Sequence, residues 1–317
     1  MRQLWKTHPP LTAASILMFA VLAAAVVGLA VDPREIAGAP AWLKPAKFGA
    51  SIGIYGFTLV WIFRYLPEWP RTRQLTGWTT AIVGVIKAGL ISLQAWRGTT
   101  SHFNVATPFD RTVFAVMGTA IFVQWIASIA VAVALWRQQF DDVALGWALR
   151  FGMIISVAGA GMGGLMTQPT GTQLAAARAT HHMAIAGAHT VGGADGGPGL
   201  PGTKWSTEHG DLRVPHFLGL HAMQALPAFS LLLAWGRRRM SSADRARLVR
   251  VAGVSYATLT ALLLWQALRG QSVVAPDAGM LAALAVWALA TLAAGAATSI
   301  VRGERAVGAA RLPLVTE

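Results

Sequence analysis

Histidine stands out in this chain by placement rather than by number. Seven of the eight, His102, His181, His182, His189, His209, His216 and His221, fall outside or at the ends of long apolar runs on one side of the chain, and His8 alone falls on the other. Two stretches gather further polar groups beside them: Arg97-Gly98-Thr99-Thr100-Ser101-His102-Phe103-Asn104, and His209-Gly210-Asp211-Leu212-Arg213-Val214-Pro215-His216, which continues through Phe217 and His221 to Gln224. Neutral imidazole binds metals and also moves protons near neutral pH. The sharp reading is a metal centre with His102, His216 and His221 as ligands and Asp110 or Asp211 completing or orienting the shell. Zinc, copper or iron, or haem b, is the cofactor this implies; Met117, Met162, Met166, Met223 and Met280 would suit a softer metal such as copper. In that reading Lys87, Asp110, Asp211 and Arg213 are the candidate catalytic groups, and Gln94, Arg97, Asn104, Gln224 and Arg269 hold the ligand or cofactor. The bland reading is that these histidines hydrogen-bond helix ends and loop backbone. The spacing does not decide between them. Five residues put His216 and His221 about 140° apart on an ideal helix, unlike the i, i+4 pair of a helical zinc motif. His182 and His189, two turns apart if helical, would be separated by roughly 10 Å.

Lys87 raises a different question. It lies inside an apolar run with Gly84, Ile91 and Gln94 on its face, and none of the runs contains an Asp or Glu. Such a lysine snorkels to the interface, is neutral, or is paired with an anion from elsewhere: a loop carboxylate, a lipid headgroup, a haem propionate or a substrate.

The elements that must position these groups are membrane spans. Apolar residues make up 55% of the 317 and charged residues only 12%, about half the charge of a soluble domain. Apolar runs at 11–31, 46–66, 74–96, 112–136, 143–166, 213–236, 247–268 and 278–300 are each near the roughly 20 residues that cross a bilayer as helix. The fold class expected is all-α, a polytopic bundle of eight transmembrane helices. The first run, preceded by Arg2 and Lys6, is expected as an uncleaved helix rather than a signal peptide. Of the 26 Lys and Arg residues, sixteen fall on the side of the N-terminus, nine on the other side, and Lys87 within a run. That bias places both termini in the cytoplasm of a bacterial inner membrane and the histidines at the outer face. The net charge of +13 follows from short basic loops facing anionic lipid, so nucleic acid is not an expected partner. The chain has no cysteine, which excludes disulfides and thiolate chemistry. Gly159-Ala160-Gly161-Met162-Gly163-Gly164 lies within a span and reads as close helix packing, not a nucleotide loop.

Residues 167–211 form an outer loop far longer than the roughly 2–8 residues that usually join packed helices. Thr172 to Thr190 could form a short helix, and the glycine-rich 192–199 must be irregular. Pro215 suits the first turn of the following helix, with Asp211 or a neighbour as its cap. The third span closes on Gln94-Ala95-Trp96-Arg97-Gly98 and the seventh on Gln266-Ala267-Leu268-Arg269-Gly270, each followed by Pro and Asp. This echo suggests two parallel four-helix repeats, 1–136 and 143–300, with 301–317 as a cytoplasmic tail.

The stretches beginning Lys44-Pro45-Ala46-Lys47-Phe48, Gln94 to Asn104 and Gly210 to Gln224 resemble those of an uncharacterised bacterial multi-pass family, which implies the membrane fold but no activity. A duplicated eight-span plan is similar in architecture to heme A synthase, although the fourth and eighth spans here lack that family's paired histidines. Ser101-His102, Asp110 and His216/His221 also resemble the zinc-dependent hydrolases related to alkaline ceramidases, with a different span count and pair spacing. Three functional classes follow: a metal- or haem-dependent oxidoreductase or hydrolase, which is favoured; a permease for a small solute or metal ion; and an accessory subunit that meets a partner through 167–211. Apart from the bilayer, the expected partners are a small-molecule or metal ligand at the outer face and further copies or a larger membrane complex. The third and sixth spans are expected to be neighbours, with His102, His216 and His221 around one opening and Lys87 below it.

Overall fold

The computed structural model describes residues 1–236 and 240–310, with side chains of the last helix as far as Thr298. A short helix α1 (Arg2–Thr7) precedes eight helices long and apolar enough to cross a membrane. The spans are α2 (Pro9–Val31), α3 (Leu43–Phe63), α4 (Pro70–Trp96), α5 (Pro108–Arg137), α6 (Val143–Met166), α8 (Arg213–Gly236), α9 (Ser242–Leu268) and α10 (Ala278–Ala310). The chain is thus an integral, multi-pass, all-α membrane protein in contact with lipid. The last helix runs on into the stretch expected as a tail; residues 311–317, and Arg237 to Arg239 of the basic loop, lie outside the described residues.

Several spans begin earlier than the apolar runs because polar residues and prolines start them. Pro9, Pro70 and Pro108 occupy first turns, where a missing amide costs nothing. Thr107, Asp142 and Ser241 accept hydrogen bonds from first-turn amides of α5, α6 and α9, the usual way to satisfy otherwise orphaned donors. At the opposite ends of α4 and α9, Gly98 and Gly270 both take φ +73, the left-handed C-terminal position that glycine fills without a Cβ penalty.

Packing falls into two groups of four. In the first, α2 packs on α3 and α4, α3 on α4, and α4 on α5; in the second, α6 packs on α8 and α9, α8 on α9, and α9 on α10. The groups meet where α5 lies against α6, and where Leu59, Ile62 and Phe63 of α3 share a core with Leu149 and Met153 of α6 and Met223 of α8. The closest approach is α6 on α8: a Cβ at Gly159 would lie 2.6 Å from the Cα of Gly219. The third and sixth spans, α4 and α8, are not packed neighbours: α4 lies against α2, α3 and α5, and α8 against α6 and α9.

The segment 167–211 is a cap over one end of the bundle. It contains α7 (Gly171–Thr180), opened by a reciprocal Thr170/Gln173 capping box, and β3 (Thr190–Val191), which pairs antiparallel with β4 (Gly210–Asp211). A second small ribbon, β1 (Glu35–Ile36) with β2 (Ala39–Pro40), lies in the first connection. Backbone bonds tie the cap to the loop after α4 (Val105 N to Ala184 O, 2.9 Å; Ala186 N to Phe103 O, 2.8 Å) and to the end of α6 (Ala188 N to Met166 O, 2.9 Å). The Ser272 hydroxyl, after α9, donates to Ser206 O at 2.8 Å. The cap therefore bridges both groups of helices.

Candidate functional site

At the cap, positive side chains and imidazoles gather from five segments. Lys87 of α4 is only 8% exposed, and its Nζ lies 5.4 Å from the centroid of the Phe48 ring of α3. The other side of the neighbourhood is His102, whose ring is 5.5 Å from that of Phe48 and whose Nδ1 is 3.1 Å from Ser101 Oγ. Phe103, beside it, holds a left-handed backbone (φ 64), a conformation that costs a bulky residue about 1 kcal/mol or more. Its ring is buried and packs at 4.8 Å from that of His189, in the cap. Lys44, at the start of α3, lies within electrostatic range of Lys87, Lys47, Arg213 and Asp195. His216 of α8 lies within range of Lys87 and His189.

Two of these imidazoles are held in one orientation. His189 Nδ1 is 2.9 Å from Asp195 Oδ2, and Asp195 also accepts the amides of His189 and Thr190. His216 Nδ1 donates to Gly159 O at 2.7 Å. Each ring then carries its proton on Nδ1 and leaves the Nε2 lone pair free. Burial holds His102 well below the ordinary imidazole range, and positive Lys44 and Lys87, with His189 and His216, push the same way. His189 is also lowered by burial, which outweighs the opposing pull of Asp195.

Among the described residues neither Lys44 nor Lys87 has an acidic partner. The ion pairs are Arg34–Asp32, Arg97–Asp110, His189–Asp195, Arg213–Asp211, Arg245–Asp142, Arg247–Asp244 and Arg269–Asp277. The nearest carboxylate in charge range, Asp195, is already committed to His189 and two amides.

The remaining polar residues singled out in the sequence form separate networks. Gln94 Nε2 and Arg97 Nη1 both donate to Asp110 Oδ1, at 2.8 and 2.6 Å, while Thr107 Oγ1 donates to Asp110 Oδ2 at 2.7 Å. This locks the α4–α5 corner. Asn104 donates to Thr99 Oγ1 and accepts the Ala106 amide. Asp211 accepts the Arg213 amide at 2.9 Å, the cap expected for α8. It also pairs with the Arg213 guanidinium, whose Nη2 reaches Lys204 O. Arg269 pairs with Asp277 at 2.6 Å. His221 lies against Phe217, with ring centroids 4.3 Å apart, and Gln224 Nε2 donates to Thr58 Oγ1 at 3.2 Å.

The three-histidine ligand set does not assemble. His216 is bonded to the Gly159 carbonyl of α6, His221 lies against Phe217, and His102 lies against Phe48. Among the described residues no group of three His, Cys, Asp or Glu side chains is placed to hold a metal ion. His181 and His182 are exposed on the cap. Comparison with protein-family models, curated proteins and solved structures gives no match. The site must therefore be read from its own chemistry. The sequence put His189 at the outer face without a role and singled out neither Asp195 nor Lys44 and Lys47 as site residues, because they come to the site through the fold of the cap and the start of α3. The available signal was charge imbalance: a lysine inside a span with no carboxylate in any apolar run.

Proposed function

We propose that this membrane protein binds a small oxyanion, a carboxylate or phosphate group, beneath the cap, and that His189 and His216 exchange protons with the bound molecule. The observation that carries this reading is Lys87, buried in a span beside Lys44 and without an acidic partner among the described residues. An uncompensated buried ammonium costs several kcal/mol, and a ligand anion offsets that cost for Lys87. The free Nε2 atoms supply the proton acceptors of general acid–base chemistry, which favours a membrane enzyme over a passive subunit.

The same Nε2 lone pairs also suit a metal, since ligating histidines commonly donate their other N–H to a carboxylate or carbonyl. Two unpaired lysines oppose a bare cation, though not a haem with its own carboxylates. Metal analysis and an optical spectrum of purified protein decide that point.

The test of the anion reading is thermal unfolding in lipid nanodiscs with inorganic phosphate, sulfate and acetate. At least one anion is expected to raise the midpoint in a saturable way, and Lys87→Gln to abolish the shift. If no anion acts and Lys87→Met is simply more stable, the lysine is a snorkelling residue and the reading fails.

Two finer features of the fold belong to the same proposal. The four-helix groups are parallel repeats, 1–136 and 143–300; corresponding helices choose corresponding partners. The corner bonds support it: Thr99 N to Gln94 O at 3.0 Å is matched by Gln271 N to Gln266 O at 3.2 Å. The cap faces outward from a bacterial inner membrane and both termini face the cytoplasm, as the Lys and Arg bias requires.

A further inference from the structure

We infer that the ligand is an amphiphile, a hydrocarbon chain bearing an oxyanion head, which enters sideways from the bilayer through a cleft between α3 and α8. This rests on the anion reading above and adds the route and the tail.

The cleft follows from packing. α3 packs chiefly on α2 and α4, and α8 on α6 and α9; α3 and α8 meet more thinly, below mid-span, where Leu59, Ile62 and Phe63 share a core with Met223. Their nearest tie near mid-span is Gln224 Nε2 to Thr58 Oγ1, and Thr58 in turn donates to Ile54 O at 2.8 Å. Between that tie and the cap the walls are open: Ser51 is exposed, Ile54 is 41% exposed and Phe217 46%. Lys47, Ser51, Ile54 and Thr58 follow one another at helical spacing on one face. Gln224 Oε1 is buried there with no well-formed hydrogen bond, the imidazole of His221 being its nearby polar neighbour. Polar groups on a lipid-facing flank cost free energy unless something polar meets them.

The cleft is roofed rather than open to water. Lys47 Nζ donates to Thr203 O at 2.9 Å, and Trp205 of the cap packs on Phe217 with centroids 5.5 Å apart. The cap's bonds to both helix groups, including Leu212 N to His189 O at 3.0 Å, obstruct an approach from above. Below the roof a basic track runs inward. Lys47 stands at the cleft within range of Arg213 and Lys204, and Lys44 is in range of both Lys47 and Lys87. A head passed along this track reaches Lys87 and the imidazoles while its chain remains in the cleft.

The experiment uses the full chain in phosphatidylcholine nanodiscs and dodecyl phosphate with a diazirine in its chain. After irradiation, adducts mapped by mass spectrometry are expected to concentrate on residues 47–58 and 217–225. Unlabelled dodecyl phosphate should compete at least tenfold better than inorganic phosphate. Ser51→Trp and His221→Trp each fill the cleft and should cut adduct yield fivefold or more, leaving the thermal shift by inorganic phosphate in place. Adducts spread alike over all lipid-facing helices, or indifferent to both tryptophans while that shift persists, overturn lateral entry alone. Absence of any anion-induced shift in the wild type overturns the anion reading and this inference with it.

Discussion

A lysine at Lys87 is costly, and what surrounds it does little to lower the cost. The face of Phe48 at 5.4 Å supplies a cation–π attraction of about 0.5–2 kcal/mol, less than the several kcal/mol of desolvation. Contrast Asp110, which is 4% exposed beside a fully buried Gln94 and satisfied by Gln94, Arg97 and Thr107. Asp110→Ala leaves those donors without their acceptor and should cost about 1–3 kcal/mol; Asp277→Ala, in the exposed pair with Arg269, should lower the unfolding midpoint much less. The imidazoles give a pH signature. His102 and His189 are both held below their ordinary range, so the unfolded chain takes up protons near pH 6.5 while the folded protein does not. Stability is complete above about pH 6.5 and falls as pH drops toward the folded values. The unfolding midpoint should decline between about pH 7 and 5, and His102→Gln should flatten that decline. Of these residues, the sequence singles out Lys87, His102 and His216 by type and placement. The pairing of His189 with Asp195 was not legible, because it depends on the irregular turn 190–195, which carries no periodicity.

Helices were legible to within a few residues wherever lipid dictated composition: the spans expected at 143–166 and 213–236 are α6 and α8. Starts were read too late at α3, α4, α5 and α9, since hydropathy does not register polar first turns such as Pro70-Arg71-Thr72-Arg73. Of the glycine-rich run of α6 expected as a packing surface, Gly159 packs closely, while Gly161 and Gly164 are exposed. Its sharpest contact is Gly159 against Gly219, and the Gly159 carbonyl also orients His216. A methyl group at Gly159 meets backbone at 2.6 Å, so Gly159→Ala must separate α6 from α8 and should cost about 1–3 kcal/mol. Gly118 of α5 has nothing within 4 Å of its would-be Cβ, and Gly118→Ala should be neutral or gain up to about 1 kcal/mol from helix propensity. Equal midpoints for the two variants would show that the α6–α8 seam yields easily. What hydropathy could not give was helix adjacency. The expected α4–α8 contact fails, since α4 packs on α2, α3 and α5 and α8 on α6 and α9; Lys44 and Lys47 of α3 join the site instead.

The two helix groups set the site between them, and the cap that bridges them comes entirely from the second. If the two groups are the parallel repeats proposed above, they share one orientation and a single charge bias governs both; α4 and α9 close on Arg97 and Arg269. The groups differ in their last helices: α5 packs on α6 as well as α4, while α10, among the described residues, packs chiefly on α9, leaving a flank to lipid. Orientation decides which leaflet the α3–α8 cleft faces, and it can be tested directly because the chain has no native cysteine. Thr203 lies in the cap and Ser241 at the start of α9, on opposite ends of α8. Sixteen of 26 basic residues lie on the Ser241 side, and the potential and lipid charge that hold basic loops inside act on short connections of this kind. In intact cells, Thr203→Cys should react with an impermeant maleimide, and Ser241→Cys only after permeabilisation. The reverse pattern would turn the cap toward the cytoplasm, and an amphiphile reaching Lys47 would then come from the inner leaflet.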